Sequence, residues 1–316
     1  MLASPKTAVS PRKNREAATG KIIMKRLTFG LWVAVTLLFA VQGVFAGNMG
    51  SNRYRLIERW QTPRELRVPE SVLFDEARRI LYVSNINGNP PEKNGQGFIS
   101  KLSLDGKIED LMWVTGLNAP KGMAVFKDTL YVADIDHLIA IDLPGGEIAA
   151  RYPAEGALFL NDVAVDAAGN VYVSDMSDEN SMIYKLVQGR MIAWLVSKAI
   201  NKPNGLYMEG KRLLVGNSGD ETIKAVDLGN QKITAVAKVG SGIDGLRADG
   251  KGNYFVSDWK GRTSLVTGDG QIIGLMDTTA AGVNSADLEY VQTLRLLLIP
   301  TFFDNRVVAY EVEEKE

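Results

Sequence analysis

Between Phe159 and Leu186 the chain alternates apolar and polar positions in short bursts. Val163 and Val165 come first, then a turn from Asp166 to Asn170, then Val171, Tyr172 and Val173, a second polar turn and a third apolar run. A period of two, broken by Gly, Asn and Asp, predicts half-buried strands joined by tight turns. The same pattern returns about every forty residues. It can be read from Pro69 (PESVLFDEARRILYVSN), Pro120 (PKGMAVFKDTLYVAD), Pro203 (PNGLYMEGKRLLVGN), Ile243 (IDGLRADGKGNYFVSD) and Ser285 (SADLEYVQTLRLLLIPT), as well as around Asn161. Units this small cannot bury their own faces and must stack on one another. The chain is therefore expected to be all-β, a six-bladed β-propeller with four-stranded blades.

The ends of the pattern say how the ring closes. Tyr54 to Trp60 reads as a lone strand ahead of the first repeat, while the last repeat stops after Val307 to Val312, one strand short. The N-terminal strand is expected to complete the final blade, which leaves no open sheet edge. Turn pairs such as Asn87-Gly88, Asp105-Gly106 and Gly169-Asn170 supply the positive-φ residues that hairpins need.

Composition adds a second segment. Residues 1–46 carry seven basic side chains and one acid, so the formal charge of −1 hides a body of −7. Residues 24–46 have a basic start, an uncharged apolar run and a Val44, Phe45, Ala46 ending, the signature of a secretory signal peptide with Met24 as the true start. An uncleaved anchor is the rival reading, because the uncharged run is barely long enough to span a bilayer. Residues 47–316 are expected to form a single propeller domain, secreted or periplasmic and free of the membrane after cleavage. The acidic body argues against nucleic acid as a partner. With no cysteine, neither disulfides nor thiolate ligands are open to it.

Candidate chemistry lies where the repeats are in phase. Glu70, Lys121, Asn161, Asn204, Asp244 and Ala286 occupy one equivalent place at the start of six innermost strands, which in a propeller line the central channel. Glu70, Asn161, Asn204 and Asp244 offer two carboxylates and two amide carbonyls, a set suited to Ca²⁺ or another hard divalent cation. Taken singly, Asn204-Gly205 and Asp244-Gly245 are ordinary turn dipeptides; the shared phase is what distinguishes them. Lys121 would attract a carboxylate or phosphate, or pair with Glu70. Trp259, Phe302 and Phe303 would either wall an apolar pocket or pack between blades. Asp175 and Asp258 read as structural turn acids, with support of the site as the sharper option. Gly240 to Gly245 matches G-x-G-x-x-G, but a strand pattern follows in place of a helix, which excludes a dinucleotide fold. His137 is the only histidine and is assigned to a turn of the second blade, with a surface or packing role.

The phased Glu70, Asn161, Asn204 and Asp244 resemble the ligand set of the senescence-marker-protein/gluconolactonase/luciferin-regenerating-enzyme-like family, six-bladed propellers similar in architecture to paraoxonase and diisopropylfluorophosphatase. The resemblance runs from about Tyr54 to the C-terminus. It implies a Ca²⁺-dependent hydrolase of lactones or related esters, in which the ion polarises the carbonyl and Asp244 is both ligand and general base or nucleophile. The chain has Pro69, Glu70, Ser71, Val72 where the family has Gly-Glu-Gly-Pro. Phe159 stands in place of an arginine of the sugar lactonases, and Lys121 in place of a paraoxonase histidine. Phe159 and Lys121, with Trp259 and Phe303, thus imply a substrate that is less polar than a sugar, or anionic. The segment from Val171 to Leu186 also resembles NHL-type repeats, which implies the alternative of a non-catalytic propeller recognising a protein or small ligand.

Overall fold

The computed structural model describes residues 53–315, and the segment read as a signal peptide lies outside the described residues. β1 (Tyr54–Gln61) precedes the first complete blade, formed by β2 (Pro69–Asp75), β3 (Ile80–Asn85), β4 (Gly97–Leu102) and β5 (Ile108–Leu117). The second blade is β6 (Pro120–Phe126), β7 (Thr129–Asp134), β8 (His137–Asp142) and β9 (Glu147–Pro153). The third is β10 (Leu160–Val165), β11 (Val171–Asp175), β12 (Met182–Val187) and β13 (Arg190–Val196), and the fourth is β14 (Pro203–Glu209), β15 (Arg212–Asn217), β16 (Thr222–Asp227) and β17 (Ile233–Lys238). β18 (Leu246–Ala248), β19 (Tyr254–Asp258), β20 (Arg262–Val266) and β21 (Ile272–Asp277) make the fifth, and β22 (Glu289–Val291), β23 (Leu296–Pro300) and β24 (Val307–Glu314) begin the sixth.

The sixth sheet has the order β1-β24-β23-β22, so the N-terminal strand closes the ring as its outermost member. β1 runs antiparallel to β24 from Tyr54 opposite Glu314 to Gln61 opposite Val308, with a bulge between Glu58 and Trp60. Exposed pairs such as Arg55 with Glu313 decorate this seam, but at the surface they contribute little. The gain is a ladder for an otherwise bare edge.

Apolar clusters fill the spaces between neighbouring blades. One joins Val72, Leu81 and Val83 of the first blade to Leu298, Val307 and Ala309 of the sixth, so closure is sealed by packing as well as by hydrogen bonds. Each such Leu or Val contributes about 1.5–3 kcal/mol when fully buried. On the inside, β2, β6, β10, β14, β18 and β22 touch one another in cyclic order. The last gap is spanned by a parallel bridge between Ser71 and Asp287. His137 opens β8 and does not sit in a turn; its Nδ1 lies 2.8 Å from Asp136 Oδ1.

Candidate active site at the channel mouth

Each channel residue is expected at the start of an innermost strand, and the backbone shows how it is aimed. The β2–β3 register slips between Pro69 and Ser71, β6–β7 between Pro120 and Met123, β10–β11 between Leu160 and Val163, and β14–β15 between Pro203 and Leu206. A bulge re-aims a side chain out of the ladder, and Glu70, Lys121, Asn161 and Asn204 sit in these four. They are second residues of their strands, not first. In the fifth and sixth blades Asp244 and Ala286 precede β18 and β22 altogether.

Serine hydroxyls near the ends of the second strands replace the missing ladder bonds. Ser84 Oγ accepts from Ser71 N at 3.0 Å, Ser174 Oγ from Asp162 N at 2.9 Å and Ser257 Oγ from Gly245 N at 2.8 Å. Two of these hydroxyls also donate to the next blade, Ser174 to the Asn204 carbonyl at 2.9 Å and Ser257 to that of Ala286 at 2.7 Å. One residue further on, a polar side chain clamps the connector leading into the site. Asn85 accepts from Arg67 N, Asp134 from Asn118 N and Ala119 N, Asp175 from Leu158 N and Phe159 N, and Asn217 from Asn201 N. Asp175 thus acts on backbone, as does Asp258, which accepts from Lys260 N at 3.1 Å.

All five polar channel residues are buried. Asn204 Nδ2 donates to Asp244 Oδ1 at 2.8 Å and lies 3.1 Å from Met176 Sδ, while Asn161 Nδ2 meets the same sulfur at 3.8 Å. Both amides therefore spend their N–H groups on Met176 and Asp244. Their oxygens, Asn161 Oδ1 and Asn204 Oδ1, are left buried without a partner, and so is Glu70 Oε2. A buried acceptor without a donor is costly. Three of them, on β2, β10 and β14 of one ring of innermost strands, fit a cation with oxygen preference, and Asp244 supplies the fourth group. Among the described residues no three His, Cys, Asp or Glu side chains group as a metal site, so any ion held here depends on the two asparagines.

The electrostatics point the same way. Burial, then Asp244 and Asp287, push the Glu70 carboxyl well above the usual range. Burial and Asp287 push Asp244 up to about 8, against the lowering effect of the Asn204 amide. The Lys121 amine is lowered to about 8 by burial, against the pull of Glu70 and Asp134. Its ammonium donates to Ala119 O at 2.9 Å and Pro90 O at 3.2 Å and lies 4.5 Å from the Phe159 ring centroid. A divalent charge near Glu70 and Asp244 would oppose the burial and the charge repulsion that raise both carboxyls.

The sixth position is apolar. Ala286 packs with Phe302, Ile86, Ala119 and Ile135, so one side of the mouth is hydrocarbon and the other carries Asn161, Asn204 and Asp244. Of the aromatic trio, Phe302 is buried against this cluster, whereas Trp259 and Phe303 are 42% and 57% exposed. Their ring centroids lie 5.4 Å (Trp259 to Phe302) and 4.7 Å (Phe302 to Phe303) apart in edge-on contacts. The trio thus divides between the two roles open to it.

Beneath the ring lies a set that the sequence reading missed. Arg247, 6% exposed, points among Asp287, Glu289 and Asp162, at 3.6, 3.4 and 3.9 Å. Asp162 accepts from Leu206 N at 2.6 Å, and Asp287 from Ser71 Oγ at 2.7 Å. Gly122 and Gly245 make room for them: a Cβ would stand 2.1 Å from Asp162 Oδ1 at the first and 2.9 Å from Asp287 Oδ1 at the second. Met176 was missed too. The readable signal for the acids was the residue after each channel position (Ser71, Gly122, Asp162, Gly205, Gly245, Asp287), which runs small, small, acidic twice over.

A family model described as the SMP-30/gluconolactonase/LRE-like region matches residues 68–286. No curated protein matches significantly. Among solved structures the chain is similar to a candidate gluconolactonase (TM-score 0.62, 19% identity, covering 83% of this chain and 93% of that one). It is also similar to a catalytically inactive virginiamycin B lyase from Staphylococcus aureus with quinupristin (TM-score 0.57, 10% identity, 82% and 99% covered). A third likeness is to a chain of a nidogen/laminin complex (TM-score 0.55, 16% identity, 73% and 90% covered). At these identities the structures speak for the fold alone. The family match spans well over half of the chain, which therefore belongs to the SMP-30/gluconolactonase/LRE-like family of lactonase-like propeller hydrolases.

Proposed function

We propose that this chain is a Ca²⁺-dependent hydrolase of lactones or related esters, with Glu70, Asn161, Asn204 and Asp244 as the metal ligands. The observation that carries the reading is the set of three buried, partnerless oxygens, Glu70 Oε2, Asn161 Oδ1 and Asn204 Oδ1, beside the Asp244 carboxylate. An ion bound there would supply Lewis acidity towards a carbonyl or phosphoryl oxygen. Ca²⁺ suits a wide oxygen ring better than Mg²⁺, which demands tighter octahedral geometry, though another hard divalent ion would meet the same donors.

The protein's own groups divide the remaining work. With Asp244 Oδ1 engaged by the Asn204 amide, Oδ2 is the oxygen assigned to take a proton from water, or to attack the acyl carbon directly. In the first case that proton returns to the departing alkoxide when the acyl C–O bond breaks; in the second, water protonates the alkoxide and the resulting hydroxide hydrolyses the acyl–Asp244 anhydride, restoring the carboxylate. Met176 lies against the Nδ2 groups of both amides, which leaves their oxygens for the ion. Two of the three Lys121 N–H groups are spent on carbonyls, and the third is assigned to an anionic group of the substrate. Phe159 and the apolar side of the mouth would receive a hydrocarbon portion, with Trp259 and Phe303 at the rim.

The charge pattern of residues 1–46 supports secretion or a periplasmic site of action, with the propeller released from the membrane. The test is calorimetric titration of Ca²⁺ into the chelator-treated full chain, then a panel of lactones and aryl esters on the same sample. Binding with metal-dependent turnover is the expected result, and no binding would remove the ligand assignment. A recognition propeller is the second reading, favoured by the exposed Trp259 and Phe303 beside the channel. It predicts Ca²⁺ binding without turnover of any substrate.

A further inference from the structure

Met176 places a thioether against both asparagines of the upper ring, 3.1 Å from Asn204 Nδ2 and 3.8 Å from Asn161 Nδ2. A thioether accepts only weakly, yet both amides turn their N–H groups to it and leave Asn161 Oδ1 and Asn204 Oδ1 buried without a donor. The equivalent places after β3 and β7 hold Ile86 and Ile135, which pack in the apolar cluster beside the ring. Hydrocarbon therefore suffices for packing there, and leucine is close to methionine in volume. What sulfur adds is an acceptor and an atom that can be oxidised. Met176 is partly exposed, whereas Met123 and Met191 are buried, and the chain has no cysteine to be consumed first.

We propose that Met176 is a modification site: its conversion to the sulfoxide by hydrogen peroxide weakens cation binding at the upper ring, and reduction of the sulfoxide restores it. The inference rests on Asn161 and Asn204 as ligands. The sulfur lone pair takes one peroxide oxygen, the O–O bond breaks, and the second oxygen leaves with both protons as water. Sulfur is thereby oxidised by two electrons and the peroxide reduced by two. The new oxygen has no room on the amide side. It needs roughly 2.7–3.2 Å to an amide nitrogen beyond the S–O bond itself, and the sulfur already stands 3.1 Å from Asn204 Nδ2. Either Asn204 shifts or the methionine side chain swings away from both amides. Both moves loosen Asn204, which also donates to Asp244 Oδ1 at 2.8 Å, so two of the four proposed ligands are disturbed at once. Residues that hold metal ligands in place are worth about 10–100-fold in affinity, and oxidation is expected to weaken Ca²⁺ by about 10-fold or more.

The test is calorimetric titration of Ca²⁺ into the full chain before hydrogen peroxide, after it, and again after the two methionine sulfoxide reductases, one for each epimer. Mass spectrometry locates each added oxygen, with Met112, 50% exposed, as the internal standard of reactivity. Affinity is expected to fall in step with the sulfoxide at Met176, not with that at Met112, and to return on reduction. Met112→Leu should keep the response, and Met176→Leu, whatever its starting affinity, should lose it. A Met176 that stays unoxidised while Met112 is converted would overturn the proposal. So would an affinity that holds when Met176 is oxidised, or a fall that Met176→Leu shows as well. No Ca²⁺ binding by the untreated parent would instead remove the ligand assignment, and this inference with it, so the two failures are told apart.

Discussion

The channel contains two layers of carboxylates, one to three residues apart along the innermost strands, and they are resolved in opposite ways. In the upper layer Glu70 and Asp244 share their space with asparagine oxygens that have no donor. In the lower layer Asp162, Asp287 and Glu289 face Arg247. A buried charge is tolerated only when it is paired: the lower layer has Arg247 among its acids and leaves one oxygen, Asp287 Oδ1, without a partner, whereas three oxygens of the upper layer have none. A site that must exchange ligands needs that incompleteness, and a layer that holds blades together does not.

The hardest test of this contrast is Asp244→Asn. It leaves an oxygen donor but removes the proposed base, so hydrolysis should fall by about 10³-fold or more while circular dichroism and melting temperature stay close to the parent's. Survival of turnover on every responsive substrate would show that Asp244 does not carry the chemistry. Glu70→Gln should act on binding instead, weakening Ca²⁺ about 100-fold by calorimetry. An unchanged affinity would take Glu70 out of the ligand set.

A smaller effect is expected in pH dependence. Folded, metal-free protein keeps a proton on Asp244 up to a pH of about 8, whereas the unfolded chain releases it in the ordinary carboxylate range. Between those limits the folded state binds more protons, so stability must fall as pH rises. The melting temperature in chelator should therefore drop by several degrees from pH 5 to pH 8. Saturating Ca²⁺ should abolish the drop and release protons on binding. Asp287→Asn sharpens this, because Asp287 is the leading charged contributor to the Asp244 shift. Without it, the sloping part of the stability profile should contract towards lower pH.

The smallest effect is assigned to Lys121→Met. It should reduce the preference for carboxylate-bearing over neutral esters about 10-fold, through KM, with Ca²⁺ affinity left near the parent value. Equal preference in parent and variant would leave Lys121 as a purely structural cation, tied to Pro90 and Ala119.

The upper layer was legible because Glu70, Asn161, Asn204 and Asp244 fall at one phase of a repeat that the turn residues mark clearly. Fold class and ring closure were legible for the same reason, and the unpaired YRLIERW strand found its partner in β24. The lower layer was harder, since Asp162 and Asp287 follow their channel neighbours by one residue, and alternation along a regular strand would turn them away from the site. The bulges cancel that alternation, and the one in β10, unlike those in β6 and β14, has no glycine to mark it. Arg247 lay deeper, three residues past Asp244, at a place filled in other blades by Leu73, Ala124, Ala164 and Tyr207. Met176 follows Asp175 as Ile86 follows Asn85 and Ile135 follows Asp134, but an apolar residue at that place gives no sign of a role at the site.

The β1–β24 seam also has a consequence in time. Tyr54 and Glu314, whose side chains meet across it, are separated by 260 positions. As the polypeptide emerges from the ribosome, the earliest strand of the propeller must wait, without its ladder partner, for nearly the last one to be made. Non-local pairing of this kind is slow to form, and an unsatisfied edge invites the wrong neighbour meanwhile. The clasp that finishes the ring is thus among the last contacts to form, and a chain cut short before β24 would leave β1 without its ladder.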